Sequence, residues 1–142
     1  MNISAKAEYA CLAVVELAAQ YGTGEPVRVN WIADQHGIPA RFLVQILLQL
    51  KSGRIVASTR GAAGGYQLAR DPAQITLAEV MDVIEGQRSV VTSSVTTPTN
   101  ASHVLMEVWN EVRRAERAML ETTTLADLVE RVHGQTEQMY FI

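Results

Sequence analysis

Apolar residues recur along this chain at three- and four-residue spacing, in blocks separated by glycines and prolines. Across residues 3–21 the stripe is Ala7, Ala10, Cys11, Val14, Leu17, Ala18 and Tyr21, the pattern of an amphipathic helix that ends at Gly22 and Gly24. Asn30 is placed to cap a short helix through His36, which Gly37 stops. Pro39 suits the first turn of a third helix. That helix turns Leu43, Ile46, Leu47 and Leu50 inward and sets Arg41, Gln45 and Gln49, at i, i+4 and i+8, on another face.

The period then changes. Ile55–Thr59 and Tyr66–Ala69 read as strands joined by the glycine-rich turn 60–65, a β-hairpin. Residues 76–85 return to helical spacing through Leu77, Val80, Met81 and Ile84, and Gly86 closes the helix. Residues 87–98 are polar and β-branched without a helical period and read as a linker or sensor-type loop. After a cap at Thr99 or Asn100, Leu105, Val108, Val112, Ala115 and Met119 alternate at three and four residues, the seam of a helix that needs a partner helix. Trp109 lies beside that seam, and the helix is expected to run to about Glu121. Thr124 with Asp127 forms a capping box for a last short helix through Val132. Gly134–Gln138 is polar, and Met139, Tyr140, Phe141 and Ile142 follow as an apolar tail.

Two helices joined by a tight glycine turn and followed by a hairpin make a winged helix-turn-helix. The expected fold is therefore mainly α with a small β-wing. It divides into a DNA-binding region (1–86), the loop (87–98), and a dimerisation helix with its tail (99–142). The long apolar seam calls for a second copy of the chain, a homodimer.

Charge sharpens this picture. The chain carries a net charge of −3, which at first argues against a nucleic-acid partner. Between Arg28 and Arg70, however, six bases face the single acid Asp34, while the remainder holds six bases against fourteen acids. A local basic surface, rather than total charge, attracts phosphate. Arg41 and Gln45, early on the third helix, have the geometry to hydrogen-bond guanine and adenine edges of double-stranded DNA. Around them, Arg28, Pro39, Ala40, Gln49, Lys51, Arg54, Ser58 and Thr59 are candidate backbone contacts. In the wing, Gly61, Gly64 and Gly65 permit close backbone approach, and Arg60 is placed for the minor groove.

Other chemistry finds little footing. A single cysteine, Cys11, excludes an intrachain disulfide and a multi-cysteine metal site, and its helical spacing reads as a buried position. Three scattered histidines make no ligand set; His36 reads as a partner for its helix dipole. No phosphate loop, dinucleotide fingerprint or nucleophile elbow occurs, so an enzyme is not expected, and no cofactor is called for. No apolar run reaches the ~20 residues that span a bilayer, and the start lacks a signal-peptide layout, so the expected location is cytoplasmic. These features leave open a winged-helix protein-interaction module, and a regulator that also needs a small-molecule effector held between the loop and the long helix.

The residues also resemble a known group. Ser4-Ala5-Lys6 with Glu8-Tyr9-Ala10, then Ile32-Ala33, Gly37-Ile38, Phe42-Leu43 and Gln45-Ile46-Leu47 are similar to the Rrf2 family of bacterial winged-helix regulators. The run from Arg60 to Ala69 carries most of the likeness, extended by Ile75-Thr76-Leu77, Ile84-Glu85-Gly86, Trp109 and Thr124 to Leu128. The resemblance implies a dimeric transcription regulator, a repressor, on palindromic operators, with the long helices crossing between subunits. Cluster-binding members of the family carry three cysteines in the loop before the long helix. Residues 87–102 contain none, so the likeness points to the cluster-free CymR-type or cyanobacterial branch. That branch, together with the tail Met139-Tyr140-Phe141-Ile142, implies cysteine synthase as a partner, because that enzyme captures tails ending in isoleucine.

Overall fold

The computed structural model describes residues 1–87 and 91–140. Helix α1 spans Ala5–Ala19, with the Ser4 hydroxyl accepting from the Ala7 amide at 3.1 Å. Its buried face is Ala7, Ala10, Ala13, Val14, Leu17 and Ala18. The expected stripe departs from the structure at two positions, one within it and one at its end. Cys11 is only partly buried, and Tyr21 is exposed beyond the helix end. The last turn tightens, with the amides of Gln20 and Tyr21 donating to Leu17 and Ala18 three residues back, which rotates Tyr21 out of the stripe.

Helix α2 covers Val29–His36 and α3 covers Ala40–Ser52. The cap of α2 is Arg28 rather than Asn30, and no side chain caps that end. Pro39 stands as the cap of α3 rather than inside its first turn. Gly37 takes the left-handed conformation at φ 64°, and the Ile38 amide donates back to the Ala33 carbonyl at 3.0 Å. His36 contacts Glu16 at 2.8 Å, so its partner is a carboxylate on α1 rather than the dipole of its own helix.

Strands β1 (Val56–Thr59) and β2 (Gly65–Leu68) pair antiparallel, from Val56 opposite Leu68 to Thr59 opposite Gly65. Val27 adds a bridge to Tyr66 through two 2.8 Å hydrogen bonds, so the wing has a one-residue third strand. A single paired residue leaves no alternation for sequence analysis to detect. A 3-10 turn at Pro72–Gln74, capped by Asp71, leads into α4 (Leu77–Glu85), capped by Thr76.

Helix α5 spans Asn100–Thr122, about 34 Å at 1.5 Å per residue. Thr99 and Ser102 cap it reciprocally. Helix α6 begins at Leu125, where Thr124 and Asp127 exchange hydrogen bonds of 2.9 and 3.1 Å. It continues to Tyr140, through the polar stretch expected to lie outside it, because exposed Gln and Glu favour helix as long as no proline intervenes. Leu125 is fully buried, and its amide donates to Ile75 while the Leu77 amide donates to Thr123. The start of α6 is thus stitched to the start of α4 and joins the core of Leu17, Ile32, Leu43, Leu47, Leu50, Ile55 and Ile75. No helix among the described residues is long and apolar enough to cross a membrane.

Candidate nucleic-acid interface

Helix α3 is held from below and open above. Leu43, Ile46, Leu47 and Leu50 are buried in the core, while Arg41 and Gln45 are exposed. Gln49 departs from the expected arrangement. Its amide nitrogen donates to the carbonyls of Val83 at 2.8 Å and Ile84 at 3.3 Å. Those carbonyls belong to the last turn of α4 and have no partner within their own helix, so Gln49 satisfies them instead of facing outward. Gln49 is a structural clamp between the two helices, its amide turned to α4 rather than outward with Arg41 and Gln45. The same junction requires Gly53, where a Cβ would stand 2.6 Å from the Val83 side chain.

The end of α3 is a Schellman motif. The amides of Ile55 and Arg54 donate to Leu50 and Lys51, both at 3.0 Å, and Arg54 occupies the left-handed position at φ 62°. Glycine is the residue that takes this conformation at least cost. The chain spends backbone energy there to present an exposed base beside the wing.

In the wing, Ser58, Thr59, Arg60 and Gly61 are exposed, and Gly61 is at φ 105°. Gly64 and Gly65 have reasons internal to the protein. A Cβ on Gly64 would lie 2.2 Å from the Thr59 carbonyl oxygen, and one on Gly65 would lie 2.4 Å from that of Val27. Both glycines are therefore consumed by the hairpin and its third strand, not held open for a ligand strand. Arg28 follows Val27 directly, so the cap of α2 is tied to the wing.

Of the six bases between residues 28 and 70, Arg70 is neutralised by Glu79 and donates to the Gln74 carbonyl. Among the described residues Arg28, Arg41, Lys51, Arg54 and Arg60 enter no salt bridge and are all exposed. Pro39 is exposed and Ala40 half-buried at the start of α3. The candidates thus gather on the entry of α2, the outer face and end of α3, and the wing.

Helix α5 leaves a different surface. None of its residues is buried; Leu105, Val108, Trp109 and Val112 are 45–50% exposed and Met119 is 63% exposed, with Ala115 exposed between them. A bidentate pair anchors it, Arg117 donating to the two Asp82 oxygens at 2.6 and 2.8 Å. Arg117 holds the Asp82 carboxyl below its ordinary range, through these hydrogen bonds first and charge second. A cleft of about 470 Å³ opens at this joint, lined by Asp82, Glu85, Asn110, Arg113 and Leu120 among others. Cys11 stands apart, and burial, with Glu85 adding to it, pushes its thiol up to about 11, which suppresses the reactive thiolate.

Sequence reasoning missed three residues that matter here: Gln49 as a clamp, Asp82 as the anchor of α5, and Val44 on the outer stripe of α3. The last was legible from the helical wheel, since it lies on the flank of the buried stripe, between Leu47 and the face of Arg41 and Gln45.

Comparison with known proteins follows the same lines. The model of the Rrf2 family, described as an iron-dependent transcriptional regulator, matches residues 3–131. A candidate HTH-type transcriptional regulator of Mycobacterium tuberculosis is 42% identical over 134 residues, covering 90% of this chain and 81% of that one. CymR, an HTH-type transcriptional regulator of Bacillus subtilis, is 33% identical over 141 residues, 99% of each chain. The solved structure of CymR, the global cysteine regulator of that organism, superposes with a TM-score of 0.81 at 31% identity, covering 92% of this chain and 98% of its own. IscR of T. potens superposes with a TM-score of 0.77 at 31% identity, over 93% and 88%. With the family matched across most of its length and its winged-helix architecture shared with these regulators, this chain belongs to the Rrf2 family and is a DNA-binding transcriptional regulator, not an enzyme.

Proposed function

We propose that this regulator acts as a homodimer on palindromic operators and represses, with α3 in the major groove and the wing on the flanking backbone. The observation that carries the reading is the outer surface of α3, the wing and the entry of α2, where Arg28, Lys51, Arg54 and Arg60 stand exposed with Arg41 and Gln45, none of the five bases in a salt bridge among the described residues. Arg41 reads a guanine and Gln45 an adenine, Arg28, Lys51, Arg54, Ser58 and Thr59 hold phosphates, and Arg60 enters the adjacent minor groove. The exposed seam of α5 supports the dimer, since an apolar stripe of this length is covered by a second copy most simply.

The family description speaks of iron, and the donors present do not fit such a centre. Cys11 is the only cysteine of the chain, it sits on α1, and no group of three His, Cys, Asp or Glu side chains converges among the described residues. Regulation here therefore runs without a thiolate-held cluster.

Selection of bound duplexes from random DNA, repeated at two salt concentrations, tests the reading. A palindromic motif with steep salt dependence is expected. Arg41→Ala then relaxes choice at one position per half-site by about 1–3 kcal/mol, whereas Lys51→Ala weakens all sequences alike. Failure of a folded dimer to enrich any sequence overturns it.

The likeness to CymR, described as a global cysteine regulator, supports a finer reading in which this chain answers to cysteine supply and meets cysteine synthase through residues 139–142. Phe141 and Ile142, and the side chains of Met139 and Tyr140, lie outside the described residues. The reading rests on their apolar sequence and on the likeness to CymR. Calorimetric titration of cysteine synthase with a peptide of residues 133–142 is expected to show saturable binding; a flat titration removes the partner.

A further inference from the structure

The outer stripe of α3 is half apolar. Arg41, Val44, Gln45 and Leu48 succeed one another at i, i+3, i+4 and i+7, opposite Leu43, Ile46, Leu47 and Leu50. Val44 is 38% exposed and Leu48 46% exposed. Neither side chain is needed to fill the core, which closes beneath them on fully buried leucines. Helix propensity does not call for Val44 either, because a β-branched residue is a poorer helix former than Glu, Lys or Gln at an exposed position. Val44 therefore gives up some helix stability, and both apolar groups some solubility, for a surface property.

The surroundings select the occupant. Arg41 and Gln45 interleave with Val44 and Leu48, while Lys51, Arg54 and Arg60 stand on the neighbouring helix end and wing, all exposed and outside any salt bridge among the described residues. An apolar protein partner would have to bury this ring of cations unpaired, which is costly. A DNA groove supplies phosphates to the cations and apolar groups to the stripe. The only apolar group that a natural A·T or G·C pair places on the major-groove floor is the C5-methyl of thymine.

We propose that Val44 is a specificity-determining residue that packs on a thymine C5-methyl group, next to the bases met by Arg41 and Gln45, with Leu48 making a weaker contact of the same kind. Val44 is one turn beyond Arg41, about 4.5 Å along the helix, against a base-pair step of about 3.4 Å. It therefore meets the neighbouring pair. Leu48 lies another turn on, where a recognition helix docked by its first turns rises from the base edges. The inference rests on the DNA-binding reading above and adds to it the identity of a base.

Deoxyuridine substitution isolates the methyl group. Each conserved thymine of the selected motif is replaced singly by deoxyuridine, which removes one methyl and leaves the hydrogen-bonding edges intact, and affinities are measured by fluorescence anisotropy. The wild-type protein is expected to lose about three- to fivefold at one thymine per half-site, the size of one buried methyl group. Val44→Ala is expected to bind the thymine and deoxyuridine duplexes equally while keeping its preference at the Arg41 position, which also shows that the variant is folded. Leu48→Ala gives the smaller counterpart. Equal wild-type affinity for every substituted duplex overturns the inference and leaves DNA binding standing, as does a motif without conserved thymine or a Val44→Ala protein that retains the penalty. Absence of any selected motif overturns both readings together.

Discussion

Residues 5–86 and helix α5 both carry apolar stripes at helical spacing and use them in opposite ways. The winged helix buries a continuous set of leucines, isoleucines and valines, Leu17, Ile32, Leu43, Leu47, Leu50, Ile55 and Val80 among them, whereas α5, with 23 residues, buries none. Both show clear helical amphipathicity, so the pattern alone does not separate them. The difference is supply. The winged helix carries enough apolar faces, from α1, α2, α3, α4 and the hairpin, to cover one another. Helix α5 packs along α4 without burying any of its own residues, and the Arg117–Asp82 and Met1–Glu116 ion pairs fasten it there. Helix α5 thus keeps its apolar face exposed in the single chain, and the proposed dimer would cover it.

The largest effect expected from this contrast comes from charging the reserved face. Val108→Asp with Val112→Asp places two carboxylates in the proposed seam, and sedimentation should show a monomer whose affinity for DNA is more than a hundredfold lower, since an unpaired buried charge costs several kcal/mol. Its circular dichroism should stay close to that of the parent. A variant that stays dimeric breaks the comparison, because the stripe would not be the seam.

Next in size is the core itself. Leu47→Ala should lose about 2–5 kcal/mol of stability in urea denaturation, a loss independent of protein concentration. Met119→Ala, on the exposed face, should instead show a loss only at concentrations where dimer is present. Equal concentration dependence of the two variants would contradict the division.

The anchor contributes least. Asp82 and Arg117 are partly exposed, so Asp82→Asn should cost about 1 kcal/mol or less. Its signature is the pH profile. The folded carboxyl titrates below its ordinary range, so the stabilisation is complete above about pH 4 and disappears as pH falls through the lowered value. Thermal unfolding of the two proteins should therefore differ most at pH 6, and the gap should close as the pH falls through the lowered value of the folded carboxyl. A constant gap across that range would assign the pair no electrostatic role.

Much of the fold was legible because its signals are local. The stripe of Leu43, Ile46, Leu47 and Leu50, the Gly37 stop, the Thr99 and Thr124 caps and the change of period at the hairpin each lie within a few residues. The candidate surface was legible in part for the same reason, since Arg41 and Gln45 are separated from the core face by helical geometry. Gln49 was read as outward-facing because its partners are 34 and 35 residues away, and only the packing of α3 against α4 reveals two carbonyls in need of a donor. Gly64 and Gly65 were read as open positions because nothing local discloses the carbonyls of Thr59 and Val27 beside them.

What the sequence by itself determined is the order of elements, the inward faces of the helices, the wing and the concentration of bases between residues 28 and 70, all consequences of periodicity and local backbone preference. Tertiary structure alone decided which of those bases stay unpaired, with Arg70 drawn to Glu79, and that Val27 completes the wing. It also decided that Leu125 enters the core and that α5 is fastened through the Arg117–Asp82 and Met1–Glu116 ion pairs. These depend on distances between residues remote in sequence, which are set by how the faces close on one another and not by any one face.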